Sequence, residues 1–227
     1  MGTRAQKEIQ RIVERLASAI VEHRLPPGAR LTEAKLVEVL EANRNHVRAA
    51  LQKLAAEHKV VEIFPNRGAF VAQPTVGEAR DVFQARIVLE RAVVELAVKN
   101  MTPRNKSRLL RQLEREADAI KRRERQDMIR ESGNFHRVLA EVAGNSVLAE
   151  LLGSLIPRSS LIIALYQETP GVQCSIEEHQ ALVDAMLAGD AERAIELMNA
   201  HIGTIQRYLL LEQRSPEVDL RAALTDG

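Results

Sequence analysis

The chain has 227 residues, 45% of them hydrophobic and 28% charged, with a formal net charge of +1. That composition reads as an ordinary soluble globular protein of one large or two small domains. No apolar run approaches 18 residues and the N-terminus lacks a signal-peptide core, so no membrane span is expected; the lone Cys174 excludes an internal disulfide and a cysteine zinc cluster and fits a reducing cytoplasm.

Charge is unevenly spread. Through Pro74 there are 12 Lys/Arg against 8 Asp/Glu; the remainder holds 20 against 23. The basic part suits phosphate binding, but a surplus of four is modest. Specific affinity for a polyanion at so small a surplus calls for two copies, a homodimer on a two-fold site.

In chain order, Ala5 to about His23 predicts a helix with Ile9, Ile12, Leu16 and Ile20 on one face. Leu25-Pro26-Pro27-Gly28 ends it. Thr32 can cap a short helix through about Leu40, with Glu33 in its first turn. Glu41-Ala42-Asn43 leaves room only for a tight turn, and Asn43 caps a second helix whose apolar positions are Val47, Ala50, Leu51 and Leu54. Two short helices so joined read as a helix-turn-helix. The second presents Arg44, Asn45, Arg48 and Gln52 outward, side chains able to contact phosphates and base edges. Val60 to Phe64 and Ala69 to Val71 then flank the turn Pro65-Asn66-Arg67-Gly68, a β-wing with a cation at its tip.

Three segments in order, Leu25-Pro26-Pro27-Gly28-Ala29-Arg30-Leu31-Thr32-Glu33, Val47-Arg48-Ala49-Ala50-Leu51 and Pro65-Asn66-Arg67-Gly68-Ala69-Phe70-Val71, resemble the winged-helix domain of GntR-family transcription regulators. The resemblance covers residues 8 to 74 and implies that Arg44 and Arg48 contact DNA from the recognition helix and Arg67-Gly68 from the wing. Two departures stand out: Glu41 occupies a turn position where the family commonly has Gly, and Asn45-His46 stands where it commonly has Thr-Pro. Asn45 and His46 therefore join the expected DNA-binding positions.

Gln73-Pro74-Thr75-Val76-Gly77 reads as the linker, dividing the chain into a winged domain, 1–74, and a helical domain, 75–227. Six helices are predicted there, at 78–100, 104–122, 124–143, 146–167, 175–188 and 190–212, with breaks at Asn100-Met101-Thr102-Pro103, Gly144-Asn145, Thr169-Pro170-Gly171 and Gly189-Asp190. The fold class is mainly α. The run Phe135 to Asn145, the pair Glu178-His179, the segment Ala188 to Ala194 and His201 resemble the effector-binding domain of the FadR/FCD branch of that family, and six helices resemble its VanR-like subgroup.

His136, His179 and His201 each lie on an apolar stripe, and burying several imidazoles without partners is costly. His179 lies ten residues before Gly189 and His201 eleven after Asp190, which places both roughly 15–17 Å from the turn if the two helices fold back on each other. Three histidines with open coordination positions suit Zn²⁺ or Ni²⁺ better than Mg²⁺ or Ca²⁺. Metal-binding members of the family carry an Asp four residues before the first histidine; here that position is Ser132, so water or a ligand oxygen is expected to complete the set.

Arg86 is a charge on the stripe Val82, Leu89, Val93. It can pair with Glu90 at i+4, reach solvent, or clamp a carboxylate bidentately. The resemblance favours the clamp, because the Arg of the corresponding segment faces the effector cavity in the family. Arg158 and Tyr166 are further candidates for lining that cavity.

These features lead to a cytoplasmic transcription regulator, a repressor by family pattern, that binds double-stranded operator DNA and senses a small organic acid at a metal-containing pocket. A metal-dependent hydrolytic enzyme is the competing reading, since three histidines could activate water. Against it, Glu177 and Glu178 are expected to point off the His179 face, and no nucleophile motif or phosphate loop occurs. A constitutive DNA binder with a structural metal is the third.

Overall fold

The computed structural model describes residues 3–167 and 176–209. Cys174 and the predicted break at Thr169-Pro170-Gly171 lie outside them.

Helix α1, Arg4–Val21, opens with a capping box in which Thr3 Oγ1 accepts from the Gln6 amide and Gln6 answers at the Thr3 amide. Strand β1, Arg30–Leu31, follows, then α2, Glu33–Leu40, and α3, Arg44–Lys53. The expected Thr32 cap is not made through its side chain; the backbone carbonyl of Thr32 accepts the first helical bond instead, from Leu36. Asn43 does cap α3, its Oδ1 accepting from the Asn45 amide at 2.8 Å. Glu41 ends α2 in the left-handed region, φ 50° and ψ 45°, where a non-glycine residue costs roughly 1–2 kcal/mol. A π-helical turn, Leu54–His58, leads from α3 into the wing, β2 Val61–Phe64 and β3 Gly68–Val71. The three antiparallel strands lie in the order β1-β3-β2, with Phe70 paired to both Arg30 and Glu62. The short β1, too brief for a periodicity to register, completes the sheet.

Six helices follow among the described residues: α4 Val76–Lys99, α5 Pro103–Arg122, α6 Arg125–Val142, α7 Ser146–Tyr166, α8 Ile176–Leu187 and α9 Ala191–Arg207. Their starts are chemically marked. Thr75 and Glu78 form a capping box, so α4 begins two residues sooner than expected and Val76-Gly77 belongs to the helix. Asn145 Oδ1 accepts from Val147 and Leu148, and Asp190 Oδ1 from Arg193. Gly144 ends α6 at φ +73°, where an added Cβ would also meet Asn100 Nδ2 at 3.1 Å.

Apolar burial divides into two cores. One gathers Ile12, Leu16, Ile20, Val47, Leu51, Leu54 and Val71 beneath the winged domain. The other gathers Phe83, Val93, Leu109, Phe135, Leu139, Leu152, Leu182 and Met198 inside the bundle. The division does not follow the chain strictly, because Leu161 of α7, fully buried, belongs to the winged-domain core. Helix α7 is long and apolar enough to cross a membrane by length and composition alone. Part of that apolar surface is buried in the two cores, through Leu152, Leu155, Ile156 and Ile162 in the bundle and Leu161 in the winged domain.

Candidate functional site

The candidate DNA-reading surface consists of α3 and the wing. Arg44, Asn45, Arg48, Arg67 and Gly68 are exposed and His46 is half-buried. Arg48 is not idle: its Nε and Nη2 donate to Glu33 of α2 at 3.1 and 3.0 Å, a bidentate pair spanning the two helices of the motif. That hydrogen bonding holds the Glu33 carboxyl below its usual range. At the wing tip the Arg67 guanidinium lies 5.4 Å from the Phe64 ring centre and 5.8 Å from that of Phe70, and the rings themselves meet edge to face at 5.8 Å. The aromatic pair props the cation at the turn.

Within the bundle, His136 of α6, His179 of α8 and His201 of α9 converge, all nearly inaccessible to solvent. Their potential ligand atoms lie within 4.8 Å of one another. Ring centres are 5.4 Å apart for His136 and His179, 5.3 Å for His136 and His201, and 4.7 Å for His179 and His201. Phe135 stacks on His179 at 3.8 Å and fixes its plane.

Each imidazole has its own carboxylate. His136 Nδ1 donates to Glu90 of α4, His179 Nδ1 to Glu116 of α5 at 2.9 Å, and His201 Nδ1 to Glu178 of α8 at 2.8 Å. A carboxylate can only accept, so Nδ1 carries a proton in all three, and Nε2 is the nitrogen a metal would use. Such outer partners orient metal-binding histidines and raise their basicity. Three imidazoles, each backed by a carboxylate, are a donor set that fits a divalent transition metal.

Arg86 joins this network. Its Nε donates to Glu90 Oε1 at 2.7 Å while the other oxygen of Glu90 takes His136, so one buried carboxylate bridges cation and imidazole. Burial alone would raise the Glu90 pKa, but the Arg86 charge and His136 outweigh it and hold it at about 2. Arg86 Nη2, 2.6 Å from the same oxygen, is in ionic contact without forming a hydrogen bond.

A cavity of about 300 Å³ adjoins the cluster. Arg86, Ser132, His136, Glu116 and Glu178 contribute to its wall, and Val21 and His23 close it from α1. The i+4 pairing expected as one alternative for Arg86 is therefore present together with exposure of that residue to the cavity. Two expectations need correction. Tyr166 and Arg158 do not line the cavity: the Tyr166 hydroxyl donates to the Pro74 carbonyl at 2.8 Å, tying α7 to the interdomain segment, and Arg158 lies near Glu78 at the start of α4. Both follow from the turn of α7, whose cavity face is carried by Ile156, Ser159, Ser160 and Ile163. Glu178 likewise points inward to His201, not away. Sequence reading also missed Glu116, although its place on the buried stripe Leu109, Gln112, Leu113, Glu116, Ala119 marks it as a charge needing a partner. His23 carried no comparable signal.

Two family models match the chain. The FCD domain model covers residues 81–204, and the model described as bacterial regulatory proteins, gntR family, covers residues 8–71. The HTH-type transcriptional repressor RspR of Escherichia coli (strain K12) is 24% identical over 197 residues, covering 86% of each chain. The HTH-type transcriptional repressor NanR of Cronobacter sakazakii is 25% identical over 227 residues, covering 88% of this chain and 85% of that one. A GntR protein from Rhodococcus sp. RHA1, solved by structural genomics, superimposes with a TM-score of 0.79 at 25% identity, covering 92% of this chain and all of the other. These relatives are regulators and not enzymes, which removes the hydrolase reading. The chain belongs to the GntR family of bacterial transcription regulators that carry a C-terminal FCD domain.

Proposed function

We propose that this regulator is a cytoplasmic repressor, homodimeric and of the VanR-like subgroup, whose DNA affinity is set by a small organic acid bound beside a metal held by His136, His179 and His201. The observation that carries the reading is the paired architecture of the cluster: every imidazole is fixed by a separate carboxylate, Glu90, Glu116 or Glu178, from another helix. A packing role for the histidines would not require three such partners converging on one centre.

Zn²⁺ or Ni²⁺ would supply an electrophilic coordination position for one carboxylate oxygen of the ligand. The protein's own contribution is orientation and charge. Arg86, its charge shared with Glu90, lies on the cavity wall, and Ser132 offers a hydroxyl on the same wall as His136. Arg44, Asn45, His46, Arg48, Arg67 and Gly68 serve as the contacts to double-stranded operator DNA, the helix in the major groove and the wing beside it. The ligand alters DNA affinity to the extent that it binds the two arrangements of the winged domains unequally. Repression is supported by the names of RspR and NanR.

Thermal unfolding tests this directly. Purified protein is heated with acetate, L-lactate, succinate, citrate or benzoate, before and after chelation and reloading with Zn²⁺. The expected result is one acid that raises the midpoint only in the metal-loaded protein. If chelation lowers the midpoint and no acid changes it, the metal is structural and sensing of small carboxylates is refuted. If neither treatment has an effect, the metal centre itself is refuted.

A further inference from the structure

The cavity has a wall that the bundle does not supply. Val21 and His23, at the C-terminal end of the first helix of the winged domain, line it together with residues of α4, α6 and α7. His23 holds a left-handed backbone, φ +58°, which turns its ring toward α7. There His23 Nε2 lies 3.0 Å from both the carbonyl oxygen and the Oγ of Ser160, and Ser160 Oγ donates in turn to the Val21 carbonyl at 2.7 Å. A carbonyl oxygen can only accept, so Nε2 carries the hydrogen and His23 is the donor.

Between these two residues, Glu22 is buried and reaches Arg130 of α6 at 3.5 Å. Helix α6 is the element that also carries Ser132 and His136 to the cavity. The next residue of α7, Leu161, belongs to the winged-domain core. Three consecutive residues at and just after the end of α1 thus meet the bundle, two at the cavity wall and one through an ion pair.

We propose that the winged-helix domain supplies part of the effector pocket, and that His23 is the residue through which a bound carboxylate acts on DNA binding. A carboxylate oxygen in the cavity is a stronger acceptor for the His23 Nε2–H than the neutral oxygens of Ser160. Arg125, on the same wall, draws the anion toward that end. Transfer of the hydrogen bond from Ser160 to the ligand loosens the seat of α1 on α7, and with it the orientation of α3 and the wing. The DNA-binding domain then senses the ligand by contact, without a relay through the bundle. This rests on the cavity being the effector pocket.

The test uses the full-length, Zn²⁺-loaded protein, the acids acetate, L-lactate, succinate, citrate and benzoate, and a duplex selected by the protein from a randomised pool. His23→Gly removes the imidazole and suits the left-handed backbone, so the fold is retained. An acid that binds the wild type is expected to change its DNA affinity about tenfold, within the usual range of coupling. In H23G the same acid is expected still to bind, more weakly by a few-fold, while its effect on DNA affinity shrinks to less than about twofold. Hydrogen exchange on the wild type is a second readout: the acid is expected to change exchange at residues 18–25 as well as around the bundle cavity.

Identical coupling in H23G and wild type, or exchange changes confined to residues beyond 75, would overturn the proposal while leaving the effector pocket intact. Silence of the wild type toward every acid removes the pocket and this inference with it, an outcome recognisable without the variant.

Discussion

His179 Nδ1 and Glu116 Oε2 lie 2.9 Å apart, although 63 residues separate them in the chain and they sit on different helices, α8 and α5. Both are buried. The pair is therefore a tertiary device that orients one imidazole of the cluster. Glu116→Gln keeps the shape and removes the charge. It is expected to lower Zn²⁺ affinity about 10–100-fold, the usual range for such partners, while His179→Ala abolishes tight binding. Competition against a chromophoric chelator measures both. Equal affinity in E116Q and wild type would show that the carboxylate does not support a metal ligand.

Arg86 and Glu90 form a buried pair that also anchors His136. Arg86→Ala leaves Glu90 without its cation in a site shielded from water and is expected to destabilise the fold by about 3–5 kcal/mol. Adding Glu90→Gln should restore part of that loss, because the stranded charge disappears with it. Urea unfolding of the single and double variants decides the matter. A simple sum of the two losses would mean that the residues act independently.

Arg48 is held by Glu33 before DNA arrives. Arg48→Ala should weaken binding to a selected duplex about tenfold and reduce the slope of log affinity against log salt by about one. Glu33→Gln should have the opposite sign, tightening binding to all sequences, since an anion beside the phosphates is removed and Arg48 is released. Fluorescence anisotropy across a salt series reads both effects. Weaker binding in E33Q would show instead that Glu33 positions Arg48 for DNA.

Two histidines are expected to make stability fall in acid. Burial lowers the His58 pKa below the usual histidine value; Lys53 and Arg137 push the same way, against Glu57, and His58 Nδ1 is buried without a hydrogen bond. Burial also lowers that of His23. A histidine depressed in the folded state takes up its proton first in the unfolded chain, whose pKa is about 6.5. Its contribution to stability is complete above that value and is lost as pH falls below it. His58→Gln should make stability less dependent on pH between about 7 and 5, measured by urea midpoints on chelated protein. An unchanged slope would assign the acid sensitivity elsewhere.

Much of this molecule was legible before any coordinates. Local chemistry marks the helix starts at Asn43, Asn145 and Asp190, and the 3.6-residue period places His136, His179 and His201 on inward faces, because both depend on residues within a turn or two of one another. The fold class and the regulator family follow from such local signals. What local signals do not contain is the partner across a packed interface. The carboxylates of Glu90, Glu116 and Glu178, the seating of Tyr166 on Pro74 rather than in the cavity, and the contact of His23 with Ser160 each join residues more than twenty positions apart. Helix periodicity states which side of a helix is buried; only packing of the helices against one another decides what each buried group meets there.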